Sequence, residues 1–228
     1  MRRVVIIGAG VHGREIAEIL RHPLQQGKAP EVLGFVDETP ALRHKVIDAL
    51  PVLGDWSWFE GVDRSEIAVI CASGFSHTRK MLVERARASG FTFANAISHV
   101  AYLSPHAKIG EGVVICQHAI ACRGTLIDDH AIINLGSIVS HDTKIARYGT
   151  INPGVNLAGN VSIGEGCYLG IGSSVIQGIS IGSWTTIGAG AAVIKDLPDN
   201  VTAVGVPARV IKIREKGWHE QSTGSAGK

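Results

Sequence analysis

From Ile97 onward an aliphatic side chain returns at every sixth position: Leu103, Ile109, Ile115, Ile127, Ile133, Val139, Ile145, Ile151, Leu157, Ile163, Leu169, Val175, Ile181, Ile187 and Val193, with Ala121 the one small member. The residue four further on is usually small or β-branched, as at Ala107, Val113, Ala119, Thr125, Ala131, Ser137, Thr143 and Gly149. Glycine often follows the aliphatic residue directly, as at Gly110, Gly164, Gly170, Gly182 and Gly188. A period of six is neither the 3.6 of a helix nor the simple alternation of a strand. It suits a solenoid in which each unit is one short strand plus a corner, the large aliphatic pointing to the axis and the small residue filling the corner. Three units close a triangular coil, so the stretch predicts about five coils of a parallel β-helix. A sandwich of ordinary strands would need loops of varying length, and this register never slips.

The chain before Ile97 has another pattern. Residues 4–7 predict a buried strand, followed by Gly8-Ala9-Gly10-Val11-His12-Gly13 and a helix over 14–20. Residues 32–36 predict a second strand ending at Asp37-Glu38, and 67–71 a third ending at Ala72-Ser73-Gly74. A helix over 77–89 and a strand near 91–94 lead into the repeats. Strand, glycine turn, helix and strand at this spacing predict a Rossmann-like βαβ domain. The expected organisation is that α/β domain at 1–95, an all-β hexapeptide-repeat helix at 96–213, and a flexible tail at 214–228, polar and small from Gly217.

Hydrophobic residues make up 45% of the 228-residue chain and charged residues 18%, the balance of a folded chain rather than a disordered one. The formal charge is +2 without a basic block, which argues against a nucleic-acid or membrane-surface role. Cys71, Cys116, Cys122 and Cys167 form no C-x-x-C pair; this argues against a disulfide framework or a structural zinc and fits a reducing cytoplasm. The apolar start is too short for a signal peptide and no run could span a bilayer, so a soluble cytoplasmic protein is expected. Twenty-eight glycines beside four Trp, three Tyr and five Phe suggest tight turns and small-residue packing.

Gly8-x-Gly10-x-x-Gly13 matches a dinucleotide fingerprint, in which glycines let backbone approach a phosphate and a helix N-terminus favours the anion. Asp37 could accept hydrogen bonds from a ribose or a base edge. About four expected strands are half of a two-lobed dinucleotide fold, which favours a nucleotide-containing ligand docked differently over NAD. A purely structural glycine turn is the alternative. On the repeat, His106, His118 and His130 share one hexad position twelve residues apart, hence three different faces, so they cannot converge on one metal within a subunit, and only a site across subunits is left open. Solvent or an interface edge is their expected place, and no metal is expected. His141 differs because Asp142 follows it: a carboxylate beside imidazole fixes its orientation and supports a general base. Adjacent strand residues point to opposite faces, but a corner breaks that alternation. A plain surface histidine is the alternative reading.

Gly8–Gly13, Phe35-Val36-Asp37-Glu38, Asn134 with Ser140-His141-Asp142, Leu157-Ala158-Gly159-Asn160 and Val204-Gly205-Val206-Pro207-Ala208-Arg209 together resemble the bacterial sialic acid O-acetyltransferase and nucleotide-sugar N-acetyltransferase family, over essentially residues 2–213. The resemblance implies a homotrimer of left-handed β-helices with acetyl-CoA, the co-substrate, in the groove between subunits. It implies a sugar nucleotide on the N-terminal domain at Gly8, Gly10, Val11, His12, Asp37, Glu38 and Gly74. By the same resemblance His141 is the base, Asp142 its partner, Asn134 lies at the active site, and the Gly159 N–H meets the oxyanion. Ile171, Ala189 and Gly190 would face the CoA chain. Relatives often carry a second histidine against acetyl-CoA where this chain has Thr150, and some carry Glu where it has Asp142.

The function so implied is N-acetylation of a nucleotide-linked 4-amino-4,6-dideoxy sugar for a bacterial surface glycan such as an O-antigen polysaccharide. O-acetylation of a free sugar such as sialic acid is the alternative enzyme, and a non-catalytic trimeric nucleotide-binding scaffold the alternative outside enzymes.

Overall fold

The structure is a computed structural model and describes residues 3–22 and 29–220. The chain begins with β1 (Arg3–Ile7), α1 (Val11–Arg21), β2 (Glu31–Val36), β3 (Val46–Ile47), β4 (Leu50–Gly54), β5 (Ile67–Cys71), α2 (Ser76–Ala88) and β6 (Thr92–Phe93). These strands form one sheet in the order β3-β4-β2-β1-β5-β6, parallel except for the β3–β4 hairpin. Both faces of a parallel sheet are covered, which accounts for the continuous apolar runs of β1 and β5. Val4, Ile6 and Ile70 pack with Ile16, Ala17 and Leu20 of α1. Val5, Ile7, Val69 and Cys71 pack on the other face with Val83 and Ala86 of α2. The sheet has six strands where the pattern predicts four. β3 and β4 escape notice because Pro51 interrupts a short run, while Asp48 and Ala49, at φ 49° and 63°, supply the left-handed turn between them.

From Ala96–Ile97 to Ala192–Val193 a two-residue strand recurs every six residues, and its second residue is the aliphatic of the repeat. Strands eighteen residues apart pair in parallel, as in Ile115 with Ile133 and Ile133 with Ile151. The result is a left-handed β-helix with three faces, here numbered from the strands Ala96–Ile97 (first), Tyr102–Leu103 (second) and Lys108–Ile109 (third). The inward aliphatics and the small corner residues make one continuous core. Ile97, Leu103 and Ile109 are only partly buried because no coil covers them. At the other end Val201–Val204 continues the first face and pairs antiparallel with Arg209–Ile213.

The α/β unit sits on the first face, whose outward residues Ala96, Val114 and Ile132 join the α1 core. α2 lies along the third-to-first corner. There Lys80 pairs with Glu165 at 3.6 Å and lies 5.3 Å over the Trp184 ring. His130, Tyr148 and Trp184 occupy equivalent left-handed positions of that corner, at φ 57°, 60° and 56°. Gly112 lies against the His130 ring and Gly166 against Trp184, where a Cβ would fall inside each ring's van der Waals surface.

Two expectations are corrected. His106 and His118 are exposed, but His130 is 1% exposed, stacked 5.6 Å from Tyr148 and edge-on to Phe93 at 4.5 Å. Docking of α2 buries it, and burial together with the Arg87 charge pushes its pKa down to about 4. The tail expected at 214–228 is not free over 214–220: the Arg214 N–H donates to Asn200 at 2.7 Å, and His219 is buried in a stack on Trp184 with centroids 3.6 Å apart. Residues 221–228 of that expectation lie outside the described residues.

Ile133→Ala opens a cavity in the coil core and is expected to cost about 2–5 kcal/mol, whereas Ile194→Ala, at a site 41% exposed, stays within about 0.5 kcal/mol; urea denaturation of both variants checks the contrast. His130 takes a proton near 6.5 when unfolded and near 4 when folded. Its contribution is therefore whole above about pH 6.5 and is lost as the pH falls towards 4. His130→Asn, which tolerates the left-handed backbone, should flatten that part of the stability profile in denaturant melts at stepped pH.

Candidate active site

β1 and β5 are parallel neighbours whose following helices, α1 and α2, cover opposite faces of the sheet. The crevice outside their carboxyl ends is the switch point where α/β sheets take ligands. Gly8, at φ 111°, donates its N–H to the Val36 carbonyl at 2.8 Å. A Cβ on Gly13 would collide with the Gly8 carbonyl, so that glycine serves helix–strand packing. Gly10 and Gly74 are different, since a Cβ on either would meet nothing within 4 Å among the described residues. Packing within the chain does not require glycine there, and both border open space. Among the described residues neither α1 nor α2 has a side-chain cap, and neither has an acidic residue in its first turn, an arrangement that favours an anion at their N–H groups.

Val11 is exposed at the start of α1. His12 turns Nδ1 towards Glu15 at 3.3 Å, while its Nε2 is buried without a hydrogen-bond partner among the described residues, and burial lowers its pKa. Asp37 accepts the Ala9 N–H at 2.7 Å and the Thr39 N–H at 2.8 Å, tying the glycine loop to the end of β2. Exposed Glu38 pairs with Arg85 at 2.8 Å, and the Arg85 guanidinium lies 3.9 Å over the Trp56 ring. Arg85 and Trp56 carry no local signal of this contact in the sequence, because each is distant from the glycine loop.

His141 and Asp142 stand on the second-to-third corner, both exposed. Asp142 is left-handed at φ 58°, and this corner geometry brings its Oδ2 within 3.0 Å of His141 Nδ1. Nε2 of His141 is left available. One coil further on, a Cβ on Gly159 would overlap Nε2, so the ring lies directly against that glycine. One coil earlier, a Cβ on Gly124 would overlap Asp142 Oδ1. The pair thus occupies a slot kept open by two glycines. The Gly159 N–H has no acceptor among the described residues, so a basic nitrogen and a free backbone donor adjoin, the combination that acyl transfer uses.

The remaining residues are not all brought together. Asn134 lies on the first-to-second corner, across the width of the second face from His141, with its Oδ1 accepting the Leu135 N–H at 2.9 Å. Ile171, Ala189 and Gly190 lie on that same corner: Ile171 is 61% exposed, and the Gly190 N–H donates to the Ile171 carbonyl at 2.8 Å. Thr150 is corrected. It is 1% exposed on the first face beneath the α/β unit, and its hydroxyl lies 3.2 Å from both the Gly74 carbonyl and the Ser76 hydroxyl and 2.9 Å from Arg79, so it is closed to CoA in this fold. Arg79 itself was missed. Its signal was a cation on the inward stripe of α2, with Val83 and Ala86. Among the described residues no cluster of His, Cys, Asp and Glu could hold a metal ion.

Residues 3–86 match the PglD N-terminal domain family. GDP-perosamine N-acetyltransferase from Caulobacter crescentus, solved as a variant with CoA and GDP-perosamine, superposes with a TM-score of 0.85 at 36% identity, covering 93% of this chain and 98% of that one. The acetyltransferase domain of PglB from Neisseria gonorrhoeae gives a TM-score of 0.85 at 32% identity, covering 92% and 100%. A serine acetyltransferase of Buchnera aphidicola is 33% identical over 122 residues, 48% of this chain and 40% of that protein. The chain spans about half the length, or less, of the curated relatives it matches.

Gly13→Ala should lower the melting temperature, since forcing a methyl against a carbonyl costs about 1–3 kcal/mol. Gly10→Ala should lower it less, at a cost of about 1 kcal/mol at most, because its Cβ enters open space and only the N-cap preference for glycine over alanine is lost. Parallel thermal melts separate the packing glycine from the one that borders the crevice.

Proposed function

This chain belongs to the left-handed β-helix, hexapeptide-repeat acyltransferase family, and on that premise we propose that it is an acetyl-CoA-dependent N-acetyltransferase acting on the 4-amino group of a nucleotide-linked 4-amino-4,6-dideoxy sugar. The observation that carries the reading is the His141–Asp142 pair, with Nδ1 held by the carboxylate and Nε2 against Gly159. The anion-ready crevice between β1 and β5 supports a nucleotide-linked rather than a free sugar. The complexes of the Caulobacter crescentus enzyme with CoA and GDP-perosamine support the two substrates.

In the proposed reaction the sugar amine attacks the thioester carbonyl carbon while His141 Nε2 takes its proton. Asp142 stabilises the imidazolium through Nδ1. The Gly159 N–H donates to the carbonyl oxygen as negative charge gathers there. Collapse breaks the C–S bond, the proton passes to the departing sulfur, and amide and free CoA thiol leave. Transfer is direct, without an acyl-enzyme.

The crevice opens beside the first face and its α/β unit, whereas His141 occupies the opposite corner of the triangular coil. A sugar anchored in the crevice therefore reaches the His141 of a neighbouring copy more readily than its own. Exposed Tyr102, Leu135, Ile171 and Ile176 on and beside the second face supply apolar surface for that neighbour. This supports a homotrimer with acetyl-CoA along the first-to-second corner, at Ile171, Ala189 and Gly190, and with Asn134 of that corner at the active site. Four free thiols agree with a cytoplasmic setting, and a surface glycan is the proposed destination of the product.

The test is thiol release from acetyl-CoA with UDP-, dTDP- and GDP-linked 4-amino-4,6-dideoxy sugars, with sialic acid alongside. Saturable release with one nucleotide sugar is expected; release with sialic acid alone would overturn the reading. His141→Ala should lower kcat by about 10²–10⁴-fold with acetyl-CoA KM little changed, and near-normal turnover would remove His141 from the mechanism.

A further inference from the structure

Arg79 is 1% exposed, yet its guanidinium has no carboxylate partner among the described residues. It donates to the carbonyls of His130 at 2.8 Å, Ser73 at 2.6 Å and Tyr148 at 2.7 Å, and to the Thr150 hydroxyl at 2.9 Å. All of these acceptors are neutral, and burial holds its pKa down to about 9. A charge buried on neutral partners is an expensive way to join two units that an apolar side chain could also join.

The web also has a direction. Arg79 draws the Ser73 carbonyl inward, and the Thr150 hydroxyl, itself held by Arg79, donates to the Gly74 carbonyl at 3.2 Å. In a trans peptide the N–H points opposite to the C=O. The Gly74 and Phe75 N–H groups are therefore turned away from the β-helix, on the side where Gly74 borders open space, and neither has an acceptor among the described residues. The positive charge extends to the glycine loop as well, where it helps lower the pKa of His12.

Building on the sugar-nucleotide reading above, we propose that Arg79 is a positioning residue for the nucleotide diphosphate: it aims the Gly74 and Phe75 amides at the phosphates and leaves beneath them a positive charge that the phosphates balance. A merely structural Arg79 would affect nucleoside and nucleoside diphosphate alike. The proposed role acts on the phosphates alone.

Calorimetric titration of UDP, dTDP and GDP, each beside its nucleoside, tests this on the wild-type protein and on Arg79→Lys, Thr150→Val and Thr150→Ser. The wild type is expected to prefer a diphosphate over its nucleoside. Thr150→Val, which is isosteric but cannot hold the Gly74 carbonyl, should reduce that preference about tenfold, the worth of one charge-assisted hydrogen bond. Arg79→Lys should reduce it further, Thr150→Ser should restore it, and acetyl-CoA KM should stay at the wild-type value throughout. An unchanged diphosphate-to-nucleoside ratio in folded Thr150→Val overturns the proposal, even if Arg79→Lys fails to fold. A wild type that binds none of the diphosphates overturns instead the sugar-nucleotide reading on which the proposal rests.

Discussion

Every coil of the β-helix must return after eighteen residues to the same lateral position, and the rest of the molecule follows from that closure. Parallel pairing stacks residue i on residue i+18, so a side chain too large for one corner must be accommodated by the corner above or below. Gly112 makes room for His130, Gly166 for Trp184, Gly124 for the Asp142 carboxylate and Gly159 for the His141 imidazole. The last two differ in consequence from the first two. On the corner covered by α2 the rings are sealed into a domain contact, whereas on the second-to-third corner the same device leaves a His–Asp pair exposed and oriented.

The α/β unit is joined to the solenoid through an apolar patch under α1 and through polar contacts of α2. α1 supplies the apolar part of the seam with Ala96, Val114 and Ile132, while α2 contributes Arg79 and Lys80 along the corner. Corner carbonyls suit such a seam. They lie outside the strand ladder and would otherwise need water or another donor once covered. A guanidinium, planar and with five N–H donors, can satisfy several at once. The loop that carries Gly74 is thereby held both by Arg79 of its own unit and by Thr150 of the solenoid, and this links the crevice to the β-helix mechanically.

The hexad register, the three-faced coil and the βαβ start could be read from residue order, because each rests on a local period or on a glycine turn. So could the His141–Asp142 contact, since the corner that breaks strand alternation is itself a product of the repeat. Strands β3 and β4 were hidden by Pro51 and by brevity. The burial of His130 and Thr150 was hidden for another reason: both occupy ordinary outward positions of the hexad, and only the docking of α2 decides that these outward positions are inside.

What residue order alone determined is therefore the solenoid, its axis-facing aliphatics, the glycine loop and the adjacency of His141 and Asp142 at a corner. The tertiary structure decided which face of the solenoid is covered, that Arg79 is buried without a counter-ion among the described residues, that Thr150 serves the domain seam, and that Asn134 and Ile171 lie one corner away from His141. The division has a physical cause. A repeat fixes what each residue does within its own coil through contacts at intervals of six and eighteen, but the covering of an outward face depends on contacts between segments some seventy residues apart, such as Arg79 with Tyr148 and Thr150, for which no period exists.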